Sequence, residues 1–248
     1  MTWVNFAIST SLSDDHHLAR FFVQHVSTET SDPLGRRIPA EYGIIGCSGA
    51  KTAIIEMSQA SGLTLLSADE RNPLLTSTYG TGGLILDALS RGCRRFMVGI
   101  GGSATNDGGC GMLEALGFRF YDKSGKPVTE LCGGKLSEIS SIDSSRVVTG
   151  VMGSEFIVAC DVDTPFCGPE GAAAVFGPQK GATPEAVAEL EDGMQNLNKV
   201  IRKDYGLDLS EIPGSGAAGG LGGAFKAFLG ATLERGIDMV LDAAGFDK

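Results

Sequence analysis

The chain has 248 residues, with 20 Lys and Arg against 30 Asp and Glu, a formal net charge of −10, and 42% apolar residues. That length is enough for a sizeable core in one to two domains, and the acidic excess repels phosphate backbones and anionic lipid, so nucleic-acid and membrane-surface binding are set aside. No apolar run approaches the roughly 20 residues of a bilayer span, residues 1–26 lack the layout of a secretory leader, and the 6 cysteines show no metal-ligand spacing, so a cytoplasmic protein with reduced thiols is expected. Residues 1–31 are polar and weakly patterned, and order is expected to begin at the turn Asp32-Pro33-Leu34-Gly35, opening one domain over 32–248. Segments 38–45 and 52–57 read as the two strands of a β-hairpin, and 71–78 as a polar connection. A helix over 79–91 stops at Gly92, and a buried strand follows over 95–100. A glycine-rich loop then leads into a helix and a strand over 118–121, a unit expected to supply parallel pairing. Strands are expected over 147–152 and 155–160, the second running into Asp161-Val162-Asp163. A short helix lies within 168–181, and Thr183 as N-cap with Pro184 at the first position opens a long amphipathic helix to about Tyr205. Glycines 214–223 lead into a helix through Phe225 and Phe228, and 237–241 closes the chain as a strand or short helix. The expected fold is α/β, a mixed β-sheet with flanking helices.

Glycine makes up 36 of the 248 residues, roughly twice its usual share, and it concentrates in 99–117 and 214–230. Backbone that approaches a ligand closely or takes up positive φ calls for such clusters. A loop from a strand's carboxyl end to a helix's amino end offers unpaired N–H groups and the positive end of the helix dipole to an anion. Here Gly101, Gly102, Ser103, Thr105 and Asn106 are candidates for binding phosphate or substrate. Asp107 reads either as a helix cap or as an acid that holds Mg²⁺ or deprotonates an attacking hydroxyl. Asp161 and Asp163, just past an apolar strand, read as metal-binding acids or as a solvated turn. Lys180 reads as a cation for phosphate or as an exposed loop residue. Gly99-x-Gly101-x-x-Ala104 with Asp122 downstream fits a dinucleotide fingerprint, which keeps an oxidoreductase reading open. His16, His17 and His25 are read as surface residues, and with no histidine beyond His25 a Ser-His-Asp triad is excluded.

Four stretches carry a further signal: NPLLTSTYGTG at 72–82, GIGGSATNDGGCGMLEALG at 99–117, ACDVDTPFCGPEGAAAVFGPQKGAT at 159–183 and PGSGAAGGLGGAFKAFLG at 213–230. They closely resemble the bacterial glycerate kinase family, over about 32–242. The resemblance implies an ATP-dependent kinase that phosphorylates D-glycerate to 2-phosphoglycerate, or in some members to the 3-phosphate, with Mg²⁺ as the partner of ATP. Carried over residue by residue, it places Asp107 and Asp161 as catalytic, Asp163 at Mg²⁺, and Gly101, Gly102, Ser103, Thr105, Asn106 and Lys180 at substrate or phosphate. The family's opening Asp-Ser-Phe-Lys-Gly-Ser loop and its later Thr-Gly-Glu-Gly motif have no counterpart here, so the chain resembles the middle domain of a two-domain fold. Self-association through a former interdomain face is expected. A catalytically silent domain serving as a binding or assembly module is the alternative to the kinase, with the oxidoreductase more remote.

Overall fold

The computed structural model describes residues 23–46 and 51–236. In chain order the elements are β1 Gln24–Ser31, β2 Arg37–Ile45, β3 Lys51–Glu56, α1 Ser58–Ser61, α2 Tyr79–Ser90, β4 Cys93–Gly99, α3 Cys110–Ala115, β5 Arg119–Tyr121, β6 Pro127–Val128, β7 Ser141–Asp143, β8 Glu155–Ala159, α4 Ala172–Phe176, α5 Pro184–Tyr205, α6 Ala217–Leu229 and β9 Thr232–Glu234. Six strands form the main sheet in the order β1-β2-β3-β4-β8-β9. β1, β2 and β3 pair antiparallel, whereas β3, β4, β8 and β9 run parallel. The sheet is therefore mixed and flanked by helices, as the composition of its segments implied.

The long helices fall where capping chemistry puts them. Thr183 accepts from the Ala186 amide at 3.3 Å to open α5, and Gly206 closes it at φ 71°. Leu190, Met194, Leu197 and Ile201 line its buried face. α2 lies across the β1–β2 ribbon: Tyr42 donates its hydroxyl to Asp87 at 2.6 Å, and Thr30 donates to the Gly80 carbonyl at 2.7 Å. The approach is close enough that a Cβ on Gly80 would lie 1.9 Å from the Ser31 carbonyl oxygen, so a side chain there would push the helix off the sheet. On the sheet, Phe96 of β4 stacks on Phe156 of β8 with centroids 4.8 Å apart, and Phe225 of α6 meets Phe156 at 5.8 Å.

Three expectations are corrected. Ordered chain begins before Asp32, because Gln24–Ser31 pairs residue for residue with 37–44 of β2. As an edge strand it buries only Val26, which is why its polar sequence gave no strand period. Strand β5 does not join β4; it sits in a separate antiparallel sheet of order β6-β5-β7. Both positions beside β4 are already taken, by β3 and β8 as its parallel partners, so β5 has no place next to it in the main sheet. Segment 147–152 is a pair of turns, with Val151 donating to Val148 and Ser154 to Val151, and Gly150 at φ 96° interrupts it. The element expected over 237–241, together with His16, His17 and Cys47, lies outside the described residues. The five described cysteines are free thiols, and no helix among the described residues is long and apolar enough to cross a membrane.

Candidate functional site

The parallel strands β3, β4 and β8 bring their carboxyl ends to one edge of the sheet, the location where open α/β sheets bind ligands. Glycine loop 99–109 leaves β4 there and is fastened by distant parts of the chain. Met57 donates to the Gly99 carbonyl, Leu63 to that of Gly102, and Ala104 donates to the Ser61 carbonyl, each at 2.9 Å. Gly62 and Ser103 form a β-bridge. Thr76 donates its hydroxyl to the Ala104 carbonyl at 2.9 Å, and Gly108 donates to Gly219 at 3.0 Å. Gly101 and Gly102 stay exposed, and nothing would obstruct a Cβ on Gly101. The loop thus presents open backbone at its tip and buries everything after it.

Asp107 is fully buried. One carboxylate oxygen accepts from the Thr78 amide and hydroxyl, both at 2.7 Å, and from the Gly111 amide at 3.1 Å; the other accepts from Gly109 at 3.1 Å. The Thr78 hydroxyl in turn accepts from the Met112 amide at 2.9 Å. Burial pushes the carboxyl up from its ordinary range, against the pull of those hydrogen bonds. The geometry is that of a cap joining the amino ends of α2 and α3, with no face toward solvent. In the sequence Thr76 and Thr78 read as part of a polar connection, within the 72–82 stretch that carries the resemblance, and not as individual site residues. The signal that could have marked them is the run of hydroxyl residues Thr76-Ser77-Thr78 immediately before a glycine-bearing helix.

Lys180, in the 3₁₀ turn Pro178–Lys180, is also buried rather than an exposed loop cation. Its Nζ donates to the Thr105 carbonyl at 2.7 Å and lies 5.9 Å from the Phe176 ring centroid. Thr105 Oγ1 and both amide atoms of Asn106 are buried with no hydrogen-bond partner in the structure. The start of α6 packs on the backbone of these two residues, with Ala218, Gly219 and Gly220 in a left-handed turn at φ 55°, 69° and 94°. A Cβ on Gly219 would fall 2.1 Å from the Thr105 carbonyl oxygen and 2.6 Å from Asn106 Cα, so the second glycine cluster exists to lie directly on the first.

Desolvation lowers Lys180 to about 7, although the charge of Asp107 opposes the shift. Above that pH the folded chain has released the proton that an unfolded lysine keeps to about 10.4. The unfolded state then binds more protons, and stability rises with pH through that window. The cost is fully present below about 7. The expected slope is about 1.4 kcal/mol per pH unit between pH 7 and 10, and Lys180→Met should remove it. Urea denaturation of both proteins across that range checks this, and equal slopes would contradict it.

Asp161 and Asp163 follow β8 and are exposed. Asp161 is oriented by the Gly236 amide, which donates to its Oδ1 at 2.7 Å, while Cys160 donates its amide to the Glu234 carbonyl at 2.8 Å. Among the described residues no group of three or more His, Cys, Asp or Glu side chains could hold a metal ion. Strands β4 and β8 are hydrogen-bonded neighbours, and Gly99 pairs with Ala159, so the exposed glycines and these two acids leave adjacent strands at the same edge. The dinucleotide arrangement is not formed: Asp122 accepts from Ser124 and Lys126 in the β5–β6 turn, in the other sheet.

The match to known proteins covers this whole assembly. The model of the glycerate kinase family matches residues 15–248. The chain is 49% identical over 216 residues to a glycerate kinase of Halalkalibacterium halodurans and 45% identical over 216 residues to a glycerate 2-kinase of Escherichia coli, in each case 87% of this chain and 56% of the relative. A crystal structure from Salmonella typhimurium LT2, described as glycerate kinase 2, superposes with a TM-score of 0.85 at 45% identity, covering 90% of this chain and 59% of that one. The chain therefore spans little more than half the length of these relatives. On the family model, the identities and the shared fold together, it belongs to the glycerate kinase family.

Proposed function

We propose that this chain carries the glycine-loop half of an ATP-dependent D-glycerate kinase site. The observation that supports this reading is the exposed Gly101-Gly102 tip, rigidly fastened beside the exposed Asp161 and Asp163. Phosphoryl transfer rests on positioning and charge neutralisation, which a fixed loop of amides and adjacent acids supplies. In this reading the Gly101 and Gly102 backbone and the Ser103 hydroxyl receive phosphate oxygens. Asp161, oriented by Gly236, takes the proton of the attacking glycerate hydroxyl as its oxygen bonds to the γ-phosphorus and the bond to ADP breaks. Asp107 is a positioning residue, because its carboxylate is consumed in joining α2 to α3.

Mg²⁺ fits the donors present. It is commonly held by one or two carboxylates together with phosphates and water, and exposed Asp163 near Asp161 offers that rather than an all-protein cage. Bound there, it neutralises charge on the transferring phosphoryl group. The name of the Escherichia coli relative favours 2-phosphoglycerate as product.

The test is a coupled assay of ADP release by the purified chain with D-glycerate, ATP and Mg²⁺, with the product identified by ³¹P NMR. Asp163→Ala is expected to lower kcat/KM by on the order of 100-fold, the scale of a lost electrostatic contact in the transition state. Equal turnover in that variant would remove Asp163 from the site. A folded chain without turnover would favour a silent binding module, and the 3-phosphate as product would overturn the assignment of the attacking hydroxyl.

A further inference from the structure

Building on the glycerate kinase reading, we propose that Arg71 is an oxyanion-binding residue beside the glycine loop, its guanidinium left open for a carboxylate or phosphate group of the ligands. Buried polar groups without partners are rare in folded proteins, and each needs an explanation. Arg71 is partly buried, its Nε is enclosed with no hydrogen-bond partner, and among the described residues its guanidinium enters no hydrogen bond or ion pair. Other arginines are engaged: Arg36, Arg91 and Arg95 each meet a carboxylate, and Arg94 donates to the Leu89 and Cys93 carbonyls. Even the acid next to it in sequence, Glu70, accepts from Arg36 and from the Ser67 amide instead. In a chain with 30 acidic residues against 20 basic ones, a guanidinium that meets none of the acids is an exception.

The segment that carries Arg71 is tied to four consecutive residues of the glycine loop. Thr76 donates to the Ala104 carbonyl and the Thr78 amide to Asp107. The Pro73 carbonyl abuts Gly133, whose Cβ would stand 2.3 Å from it and 3.1 Å from the Asn106 carbonyl oxygen. Arg71 itself packs on Gly181: a Cβ there would fall 2.2 Å from the Arg71 carbonyl oxygen and 2.8 Å from its Cβ. Lys180, one residue before that glycine, donates to the Thr105 carbonyl at 2.7 Å. Of these two neighbouring cations Lys180 is enclosed, at 1% exposure, whereas Arg71 reaches solvent.

A guanidinium presents its N–H donors in a planar fork that matches two oxygens of a carboxylate or phosphate, and it stays charged at every working pH. It therefore binds and does not transfer a proton, so the role given to Asp161 is untouched. As a cation it has no claim on Mg²⁺ either. Both ligands of the kinase reading carry a suitable group, the acceptor its carboxylate and the nucleotide its phosphates, and titration with each kind separately identifies which one Arg71 meets. The net charge of −10 repels either anion from the surface at large, so one open guanidinium at the loop decides where it settles.

The test uses the full chain, titrated by calorimetry with D-glycerate and, separately, with inorganic tripolyphosphate. Wild type is compared with Arg71→Met, Arg71→Lys and the control Arg146→Met, which removes the same charge at an exposed position after β7. Arg71→Met should weaken one or both probes by about tenfold or more, the scale of a hydrogen bond to a charged group. Arg71→Lys should recover only part of that loss, because it restores the charge without the fork, and Arg146→Met should change neither affinity. Urea denaturation is the second readout: since the head group makes no bond in the folded chain, Arg71→Met should be at least as stable as wild type. Loss for D-glycerate alone assigns Arg71 to the acceptor carboxylate, and loss for tripolyphosphate alone assigns it to the nucleotide phosphates. Unchanged affinity for both probes in folded Arg71→Met, an equal weakening in Arg146→Met, or a Met variant that unfolds would overturn the proposal. So would a folded wild-type chain that binds neither probe. Binding that depends on Arg71 in a chain without turnover would instead count against the kinase reading alone.

Discussion

Asp107→Ala is expected to remove about 4 kcal/mol or more of folding stability, because at least that follows from leaving several buried donors unmet at about 1–3 kcal/mol each. The Thr78, Gly109 and Gly111 amides and the Thr78 hydroxyl all give their protons to this one carboxylate. None can turn to water, since Asp107 and Thr78 are completely buried. Against a typical total of about 5–15 kcal/mol, the loss brings the chain near its unfolding threshold. Asp107→Asn is expected to be milder. Its oxygen can serve the three donors that converge on one side, and its NH₂ then faces only the Gly109 amide. Urea midpoints should fall in the order wild type, Asn variant, Ala variant. An Ala variant as stable as wild type would show that the junction between α2 and α3 does not depend on this carboxylate. Turnover lost in either variant is then to be read through stability before any chemical role is assigned.

Gly219→Ala is expected to cost about 3 kcal/mol, through two separable effects. A left-handed backbone penalises any residue with a Cβ by about 1–2 kcal/mol, and overpacking a filled interior adds about 1–3. The clash is severe, since the new methyl would stand 2.1 Å from the Thr105 carbonyl oxygen and neither backbone can yield alone. Gly206 provides the internal comparison. It closes α5 at φ 71°, near the 69° of Gly219, but nothing lies within 4 Å of its would-be Cβ. Gly206→Ala should therefore show the backbone penalty alone, and the difference between the two variants measures the contact between the glycine clusters. Equal losses in thermal denaturation would mean that the clusters are not in tight contact.

The parts of this fold legible in the sequence are those written in local chemistry. Thr183-Pro184 and Gly206 bound α5 because capping is decided within a few residues. The parallel strands β4 and β8 show as short apolar runs because both faces are covered. Edge strand β1 was not legible, since it is held by pairing with β2 rather than by a buried face of its own. Nor was the sheet to which β5 belongs, which depends on distant strands β3 and β8 having taken both sides of β4. At the candidate site, residue types singled out loop 99–109 and Lys180 but did not reveal the burial of their side chains. Lys180 reads as a surface cation until Phe176 and the Thr105 carbonyl are placed around it. Asp107 reads equally as cap or base until Thr78, 29 residues earlier, comes into hydrogen-bond range.

The fastening of loop 99–109 also determines when it can form. Its anchors lie at Met57–Leu63, Thr76–Thr78, Lys180 and Gly219, on both sides of it and more than a hundred residues away at the far end. Contacts of such long separation are assembled late, because loop-closure entropy precedes their reward. The loop therefore reaches its final shape only after α6 has docked, whatever local order forms earlier. Amides inside it, such as Gly108 and Gly109, should exchange with solvent deuterium only through opening of the whole domain. During synthesis, a chain halted before Gly219 would carry the glycine loop but not the contacts that fix its shape.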